Sequence, residues 1–435
     1  MLQQGHFHFA GVAGSGMSAL AQAVLAAGRT VSGSDRCRDA GLHLDVIRRL
    51  RAAGVDFLPQ DGSGITPRTA ALVFSTAVED DNPDIVAARA AGVPVLHRAA
   101  VLARLLEGKR CVAVAGTSGK STVTGMIGHI MSELGADPTV VNGAAVLNWI
   151  LPNAVGNFRA GNSDWWVIEA DESDRSLLDY CPEWAVITNA TADHFGAEET
   201  LELFEAFKRR VVRGLVSALD EPGLLRDLTA ECSGDALSFA HAGLRFELPL
   251  RGRHNAENGL LAVELCRRLG FDPNDIREAL KSFKGIHRRL ERVGLSNGVT
   301  VIDDYAHNPA KIRAAWRAVT GSGRMIGVWR PHGYGPLAAM MDGLAEAFCD
   351  VCRDGDLLFV LPVYDAGGTA DRSVCAADLV ERIRARGFAG ADEVRPPALA
   401  ERVSGAARAG DTVLIMGARD PGLPALAAEV LRALG

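Results

Sequence analysis

The sequence lacks the features of a nucleic-acid-binding or membrane protein. It has 46 Lys and Arg against 53 Asp and Glu, which gives a net charge of −7, and no long run of one sign. A general nucleic-acid binder would need a basic surface. No apolar run reaches the roughly 18 residues of a membrane helix, and the first residues carry no basic leader. We therefore expect neither a nucleic-acid nor a membrane partner.

The eight cysteines lack a metal-binding pattern. Only Cys349 and Cys352 form a C-x-x-C, and a zinc site would need a second such pair. We interpret these two residues as free thiols at the end of a helix. Free cysteines and the missing leader together predict a cytoplasmic protein.

The sequence is rich in short apolar strands that alternate with helices. Its 435 residues are enough for several domains. The alternation predicts three α/β domains at 1–108, 109–289 and 290–435, of which the first and third are Rossmann-like and the central one is a phosphate-loop domain. In the central segment we predict a helix over "TLELFEAFKRRVVRGL" and, after a less regular stretch, another over "HNAENGLLAVELCRRLG".

The strongest chemical signal is the stretch "AVAGTSGKST". A phosphate loop follows a strand, surrounds phosphates with backbone N–H groups, and ends in G-K-[ST] before a helix. Here Val114 stands where the usual pattern has its first glycine, so the loop is shortened. The alternative is a glycine-rich turn without nucleotide. The residues that we predict to bind ATP phosphates are Gly116, Thr117, Ser118, Gly119, Lys120, Ser121 and Thr122.

Acidic side chains gather after the next predicted strand. Five carboxylates lie between Glu169 and Asp179. Unpaired carboxylates would repel one another, so we expect a metal ion or an arginine partner. His194 follows another apolar strand, and with Glu169 and Ser121 it would complete a Mg²⁺ site, because nucleotide-bound Mg²⁺ uses few protein ligands.

Candidates for the rest of a nucleotide site follow later in the chain. Asn255 and Asn258 stand three residues apart at a helix start, where they could hold an adenine or where one could be only an N-cap. Arg289 could meet a γ-phosphate. Asp304, at a strand end, could hold a ribose or orient that arginine.

These motifs, taken in order, resemble those of the Mur ligases, which are ATP-dependent peptide-forming enzymes of the bacterial cell wall. The resemblance rests on "HFHFAGVAGSGMSALA", "VSGSD", "AGTSGKSTVT", "EADESDRS", "VITNATADH", "RHNAENG", "DDYAHNP", "PHGY" and "MGARD", which span nearly the whole chain. It implies amide formation through an acyl phosphate, with ATP and Mg²⁺ as cofactors. The first domain is most similar to the branch of the family that joins L-alanine to UDP-N-acetylmuramate.

The resemblance also implies roles for individual residues. Lys120, Glu169, His194 and Arg289 would be catalytic, and Asn255, Asn258 and Asp304 would contact the nucleotide. A UDP-sugar, or another carboxylate, and an amino acid would be the small-molecule partners of a monomer or homodimer. The residues implied at those substrates are Gly11, Gly14, Ser15, Gly16, Met17, Ser34, Asp35, Ser75, Thr76, His307 and His332.

Several positions depart from the alanine-adding branch. The loop reads G-T-S-G-K-S-T rather than G-T-H-G-K-T-T, Asn308 replaces a histidine, and Gly333 replaces the arginine of P-H-R-Y. Lys208 lies where other branches carry a carbamylated lysine that helps to hold Mg²⁺, although it could equally be an ordinary solvated lysine.

These departures leave three alternatives open. One is a Mur-type ligase of changed specificity, for peptide recycling or secondary-metabolite amide synthesis. Another is a non-catalytic, nucleotide-binding subunit. An NAD-dependent oxidoreductase is a third, based on "GVAGSGMSA" and Asp35, although the spacing is not that of the dinucleotide fingerprint.

Overall fold

The computed structural model describes residues 4–42, 44–190, 196–233, 236–365 and 371–435. The chain divides into two compact units, one formed by Met1–Leu250 and His254–His287, the other by Arg251–Arg253 and Arg288–Gly435. No helix in these ranges is long and apolar enough to cross a bilayer.

The first part of the first unit is a parallel sheet covered by helices. Its elements are β1 (His6–Ala10), α1 (Ser15–Ala26), β2 (Thr30–Ser34), α2 (Arg36–Asp39), α3 (Asp45–Ala52), β3 (Asp56–Phe57), β4 (Thr69–Phe74), α4 (Pro83–Ala90), β5 (Val95–His97) and α5 (Arg98–Leu105). The strand order is β3-β2-β1-β4-β5, so the order reverses beside β1. Ligands of open α/β sheets bind at such a reversal, at the carboxyl ends of the strands.

The rest of the first unit contains a second, six-stranded sheet. Its elements are β6 (Arg110–Ala115), α6 (Lys120–Glu133), β7 (Thr139–Val141), β8 (Phe158–Arg159), β9 (Trp165–Glu169), β10 (Trp184–Ile187), α7 (Ala197–Lys208), β11 (Gly214–Ser217), α8 (Pro222–Arg226), β12 (Ala230–Ser233), β13 (Ala236–His241), β14 (Leu244–Leu248), α9 (Arg253–Arg268) and α10 (Pro273–Lys281), with short 3₁₀ helices at Leu147–Trp149 and Ser176–Asp179. The order is β11-β10-β6-β9-β7-β8, in which only β8 is antiparallel, and β12-β13-β14 form a separate antiparallel sheet.

The predicted helix over residues 200–215 is too long. Helix α7 ends at Lys208, and Gly214–Ser217 is strand β11, which pairs in parallel with β10. A Cβ on Gly214 would lie 2.2 Å from the Trp184 ring, so only glycine allows this close pairing. Long-range pairing therefore overrides the local helical pattern. The helix predicted over residues 254–270 is confirmed as α9.

The second unit is one mixed sheet between two layers of helices. Its elements are β15 (Glu291–Ser296), β16 (Val299–Asp304), α11 (Pro309–Val319), β17 (Met325–Trp329), α12 (Tyr334–Val351), β18 (Leu357–Val360), α13 (Ala376–Ala385), β19 (Ala391–Glu393), α14 (Pro396–Ala406), β20 (Thr412–Met416) and α15 (Leu423–Ala433). The order is β15-β16-β20-β17-β18-β19, and only the β15–β16 pair is antiparallel.

The predicted fold class, three α/β domains with a central phosphate-loop sheet, is confirmed. The first two sheets share one apolar core, in which Phe7 and Leu20 belong to the same cluster as Ala113 and Phe204. Cys349 lies in the last turn of α12, Cys352 caps its end, and both are free thiols, as predicted.

Candidate active site

The predicted phosphate loop connects β6 to α6 at the carboxyl edge of the central sheet. Gly119 precedes the helix in a left-handed conformation with φ 86°. The first helical N–H groups, at Lys120, Ser121 and Thr122, have no acceptor within the helix. They point out of its N-terminus, where the helix dipole favours an anion.

Two glycines of the loop are required by close approaches. A Cβ on Gly116 would lie 2.0 Å from Thr188 Oγ1, and one on Gly119 would lie 2.4 Å from Asn258 Oδ1. Both glycines also have positive φ, at 129° and 86°. The loop is therefore built around glycine at these two positions.

The end of β10 fastens the loop through Thr188 and Asn189. Asn189 Oδ1 accepts hydrogen bonds from Thr117 Oγ1 at 2.7 Å and Ser118 N at 3.0 Å, and its Nδ2 donates to Ser118 O at 3.0 Å. Thr188 Oγ1 donates to Ser118 O at 2.6 Å. Sequence reasoning missed both residues, although they lie in "VITNATADH".

Lys120 is held by an acidic partner that the sequence did not single out. Its Nζ donates to Glu172 Oε2 at 2.6 Å and to Gly116 O at 2.8 Å. The Glu172 side chain is 2% exposed. Burial alone would lower the pKa of Lys120, but Glu172, Glu169 and Asp171 outweigh it and raise that pKa. Lys120 is thus a protonated cation at the mouth of the loop.

Ser121 and Glu169 meet, as a shared metal site would require. Ser121 Oγ donates to Glu169 Oε2 at 2.8 Å, and Gly143 N donates to the same oxygen at 2.7 Å. A hydroxyl and a carboxylate are hard oxygen ligands of the kind that Mg²⁺ prefers. Within the described ranges no group of three or more His, Cys, Asp or Glu could hold a metal alone. His194 lies outside the described residues.

The expected arginine partner of the acidic stretch is Arg98, the first residue of α5. Its Nη2 donates to Asp171 Oδ2 at 2.8 Å and to Asp174 Oδ2 at 3.0 Å. Its Nη1 lies 2.8 Å from where a Cβ on Gly16 would stand. Asp171 and Asp174 therefore pair with Arg98, whereas Glu172 pairs with Lys120.

The other candidates of the central domain lie in two places. Asn255 and Asn258 are buried in the first turns of α9, and Asn258 Nδ2 is 3.4 Å from Asn255 Oδ1. Asn258 also lies against the phosphate loop at Gly119. Lys208 Nζ instead donates to Asp220 at 2.6 Å and Glu205 at 2.7 Å. Burial lowers the pKa of Lys208, but those two carboxylates raise it overall, which disfavours the neutral amine that carbamylation needs.

The glycine loop of the first domain lies between β1 and α1. Gly11 has φ 70°, and Gly14 precedes the helix, so the N–H groups of Ser15, Gly16 and Met17 have no helical acceptor. The Met17 side chain is buried in the core, which leaves only its backbone for a ligand.

Polar residues follow β2 and β4, the two strands that flank β1. Asp35 accepts hydrogen bonds from Ala13 N at 3.0 Å and Cys37 N at 2.9 Å. Both of its oxygens therefore serve the backbone, which weakens the NAD-binding alternative. Ser34 Oγ donates to buried Asp84, and Ser75 and Thr76 follow β4 in a turn.

In the second unit, Asp304 orients the segment that carries Arg289. Its oxygens accept hydrogen bonds from Leu290 N and Ala306 N, each at 2.8 Å. Burial raises the pKa of Asp304, although Arg289 acts in the opposite direction. The guanidinium carbon of Arg289 lies 5.1 Å from the Tyr305 ring centroid. Contact of either residue with a nucleotide stays a prediction.

The last candidates follow strands of the same unit. The rings of His307 and His332 lie edge to face with centroids 5.0 Å apart. Asn308 caps α11 by accepting from Lys311 N at 2.9 Å, which gives this departure from the family pattern a structural role. Gly333 has φ 146°, a conformation that a residue with a side chain rarely adopts.

Comparison with known proteins agrees with this arrangement. Three family models match the chain: "Mur ligase family, catalytic domain" at residues 6–110, "Mur ligase middle domain" at 114–219 and "Mur ligase, glutamate ligase domain" at 288–419. The chain is 35% identical to UDP-N-acetylmuramate–L-alanine ligase of Methylorubrum extorquens and 34% identical to that of Rhodopseudomonas palustris, over 95% of this chain and 94% and 95% of those proteins. The crystal structure of UDP-N-acetylmuramate–alanine ligase from Thermotoga maritima matches with a TM-score of 0.82 and 26% identity, over 99% of both chains.

Proposed function

This chain belongs to the Mur ligase family, and on that basis we propose that it joins L-alanine to the carboxyl group of UDP-N-acetylmuramate. The reaction forms an amide and converts ATP to ADP and phosphate. The names of the relatives support this substrate pair. The structural observation that carries the proposal is the contact of Ser121 with Glu169, 2.8 Å apart at the start of a phosphate loop.

ATP is bound through the N-terminus of α6. Lys120 donates to phosphate oxygens in place of Gly116 O, and its positive charge offsets the negative charge that develops during phosphoryl transfer. The sugar carboxylate attacks the γ-phosphorus and releases ADP. The amine of L-alanine then attacks the acyl phosphate, loses a proton and expels phosphate.

Ser121 Oγ and the Glu169 carboxylate are the groups that would hold Mg²⁺, and the hard oxygens of this pair fit that ion. When bound, Mg²⁺ neutralises charge on the β- and γ-phosphates. The chain's own contribution is to fix the pair: Gly143 N holds Glu169, and Asn142 Nδ2 donates to Ser121 O at 3.0 Å. His194 as a further ligand stays a prediction.

We propose domain limits of 1–108, 109–289 and 290–435. In this proposal the first domain binds the UDP-sugar, the central domain binds ATP and the third domain binds the amino acid. The separate matches of three family models support these limits. In the first domain, the exposed first turn of α1 is suited to a diphosphate. In the third, His307 and His332 are the candidates for contact with the substrate.

One observation favours a second candidate, a family ligase with another amino acid. The loop lacks the arginine of P-H-R-Y, and the backbone at Gly333, with φ 146°, favours glycine, so an arginine could take this position only at a cost in backbone strain. A ligase that retains the chemistry but accepts a different amine would fit that change.

The test is ADP release with Mg²⁺-ATP, UDP-N-acetylmuramate and a panel of single amino acids. We expect turnover with L-alanine to exceed turnover with every other amino acid, and no turnover in Lys120→Ala despite retained UDP-sugar binding. Turnover that peaks with another amino acid would establish the second candidate. A lack of ADP release with every acceptor would favour a non-catalytic protein.

A further inference from the structure

Arg98 contacts elements that carry the two predicted ligand sites of the first unit. Its Nη1 lies against the first turn of α1, 2.8 Å from the position of a Cβ on Gly16. Its Nη2 donates to Asp171 and Asp174, in the loop that follows β9. The Arg98 side chain is 23% exposed. A single, mostly buried guanidinium therefore joins helix α1 to the loop at residues 170–175, which we call the acidic loop.

The acidic loop is too tightly bonded to move one residue at a time. Asp171 Oδ1 accepts from Ser173 N at 3.1 Å and Ser173 Oγ at 2.9 Å. Asp174 Oδ1 accepts from Ser176 N at 3.0 Å. Each aspartate therefore uses one oxygen to close a turn and the other to accept from Arg98. A shift of the guanidinium would displace both turns together.

Glu172 lies between these two aspartates and faces the other way. Its carboxylate holds Lys120 Nζ at 2.6 Å. Contacts thus run without a gap from α1 through Arg98 and the acidic loop to Glu172 and Lys120. A connection through charged side chains therefore links the proposed site for the sugar diphosphate to the proposed site for the nucleotide phosphates.

We propose that Arg98 is a positioning residue that couples occupation of the first-domain glycine loop to the position of Lys120, so that the UDP-sugar and the nucleotide bind cooperatively. This rests on the proposed function for the identity of the two ligands. Physical coupling of this kind changes affinity by roughly 5- to 150-fold and is reciprocal between the sites. Arg98 need not touch either ligand.

The experiment is calorimetry with the full chain, Mg²⁺ with the non-hydrolysable analogue AMP-PNP, and UDP-N-acetylmuramate, each alone and in the presence of the other. In the unaltered protein, the presence of either ligand is expected to lower the Kd of the other by at least about 5-fold. In Arg98→Ala this mutual effect falls below about 2-fold, and the Kd for AMP-PNP alone rises roughly 2- to 30-fold. Arg98→Lys, which keeps the charge, recovers part of the coupling.

A second variant approaches the same contact from the other side. Gly16→Ala places a methyl group only 2.8 Å from the present position of Arg98 Nη1, closer than van der Waals contact allows, so the guanidinium must shift and the coupling should also fall. Arg110→Ala is the matched control. Arg110 also forms an ion pair, with Glu183, but it lies at the start of β6, at the end of the strand away from the phosphate loop. Its loss is expected to leave the coupling unchanged.

The outcomes separate this inference from the proposed function. Coupling that survives in both Arg98 variants, or that is missing from the unaltered protein, would overturn the inference even if alanine ligation is confirmed. If UDP-N-acetylmuramate does not bind at all, the proposed substrate is wrong. The role of Arg98 is then tested by comparing the Kd for AMP-PNP between the unaltered protein and the Arg98 variants. An unchanged Kd in folded Arg98→Ala and Arg98→Lys contradicts the role of Arg98.

Discussion

Replacing Asn189 by alanine should loosen the phosphate loop without changing any residue of the loop itself. The Asn189 side chain makes three hydrogen bonds to the loop, to Thr117 Oγ1, Ser118 N and Ser118 O, at 2.7, 3.0 and 3.0 Å. Alanine removes all of them. The loop would keep its glycines, Lys120 and the start of α6, so any loss of nucleotide affinity reports the loss of loop order.

The expected size follows from those contacts. A hydrogen bond contributes a net of about 0.5–1.5 kcal/mol, so the set is worth about 1.5–4.5 kcal/mol. If this energy serves to order the loop for phosphate, the Kd for Mg²⁺-AMP-PNP rises roughly 10- to 1,000-fold, because about 1.4 kcal/mol is a factor of ten. Binding of UDP-N-acetylmuramate alone should change little, since the Asn189 side chain makes none of its bonds to the first sheet.

Asn148→Ala is the matched control for this variant. Asn148 also joins two backbone segments of the first unit, by donating to Ser282 O and accepting from Lys284 N, each at 2.8 Å. Its loss should lower the free energy of unfolding but keep the AMP-PNP Kd within about 2-fold. Calorimetry on both variants measures the difference. Equal effects of the two substitutions on AMP-PNP affinity would refute the reasoning.

Three more predictions concern single sites. Lys120→Ala should lower the free energy of unfolding, because it leaves the buried Glu172 carboxylate without its cation. In a denaturant titration, the added substitution Glu172→Gln should restore that stability, but it should not restore ATP turnover. A Lys120→Ala variant as stable as the parent would contradict this. Burial, Arg419 and Lys311 lower the pKa of His332 to about 4, below the unfolded value of about 6.5. The free energy of unfolding should therefore fall by up to about 3 kcal/mol as the pH drops from about 6.5 to 4. This fall should be missing from the pH profile of stability in His332→Gln, and an unaltered profile in that variant would exclude His332 as its source. Gly333→Arg should cost about 1–3 kcal/mol because φ is 146°, and an unchanged melting temperature would show that the loop adapts.

Local sequence patterns were sufficient to predict the three-domain α/β fold and to place Ser121 and Glu169 at the same edge of the central sheet. The alternation of strands and helices predicted each of the large sheets, because parallel strands that are buried on both faces stand out in the sequence as short, continuous apolar runs. The G-K-S spacing placed Lys120 and Ser121 at a helix start, and the strand-end rule placed Glu169 at the same edge. The structure brings Ser121 and Glu169 within 2.8 Å.

What the sequence did not reveal depends on contacts between distant residues. Arg98 resembles any arginine at a helix start, and only the fold brings it to Asp171, 73 residues away. Asn189 has no local rule that would assign it to the loop. The stretch after Lys208 is compatible with a helix, and pairing of β11 with β10 decides against it.

The most direct test of the central claim follows the oxygen of the substrate carboxylate. UDP-N-acetylmuramate labelled with ¹⁸O in its carboxyl group is incubated with Mg²⁺-ATP, L-alanine and the protein, and mass spectrometry records the phosphate and the nucleotide product. An acyl-phosphate ligase transfers one labelled oxygen to phosphate and yields a product heavier by one alanyl residue. Unlabelled phosphate, or a sugar nucleotide of unchanged mass, would contradict the account.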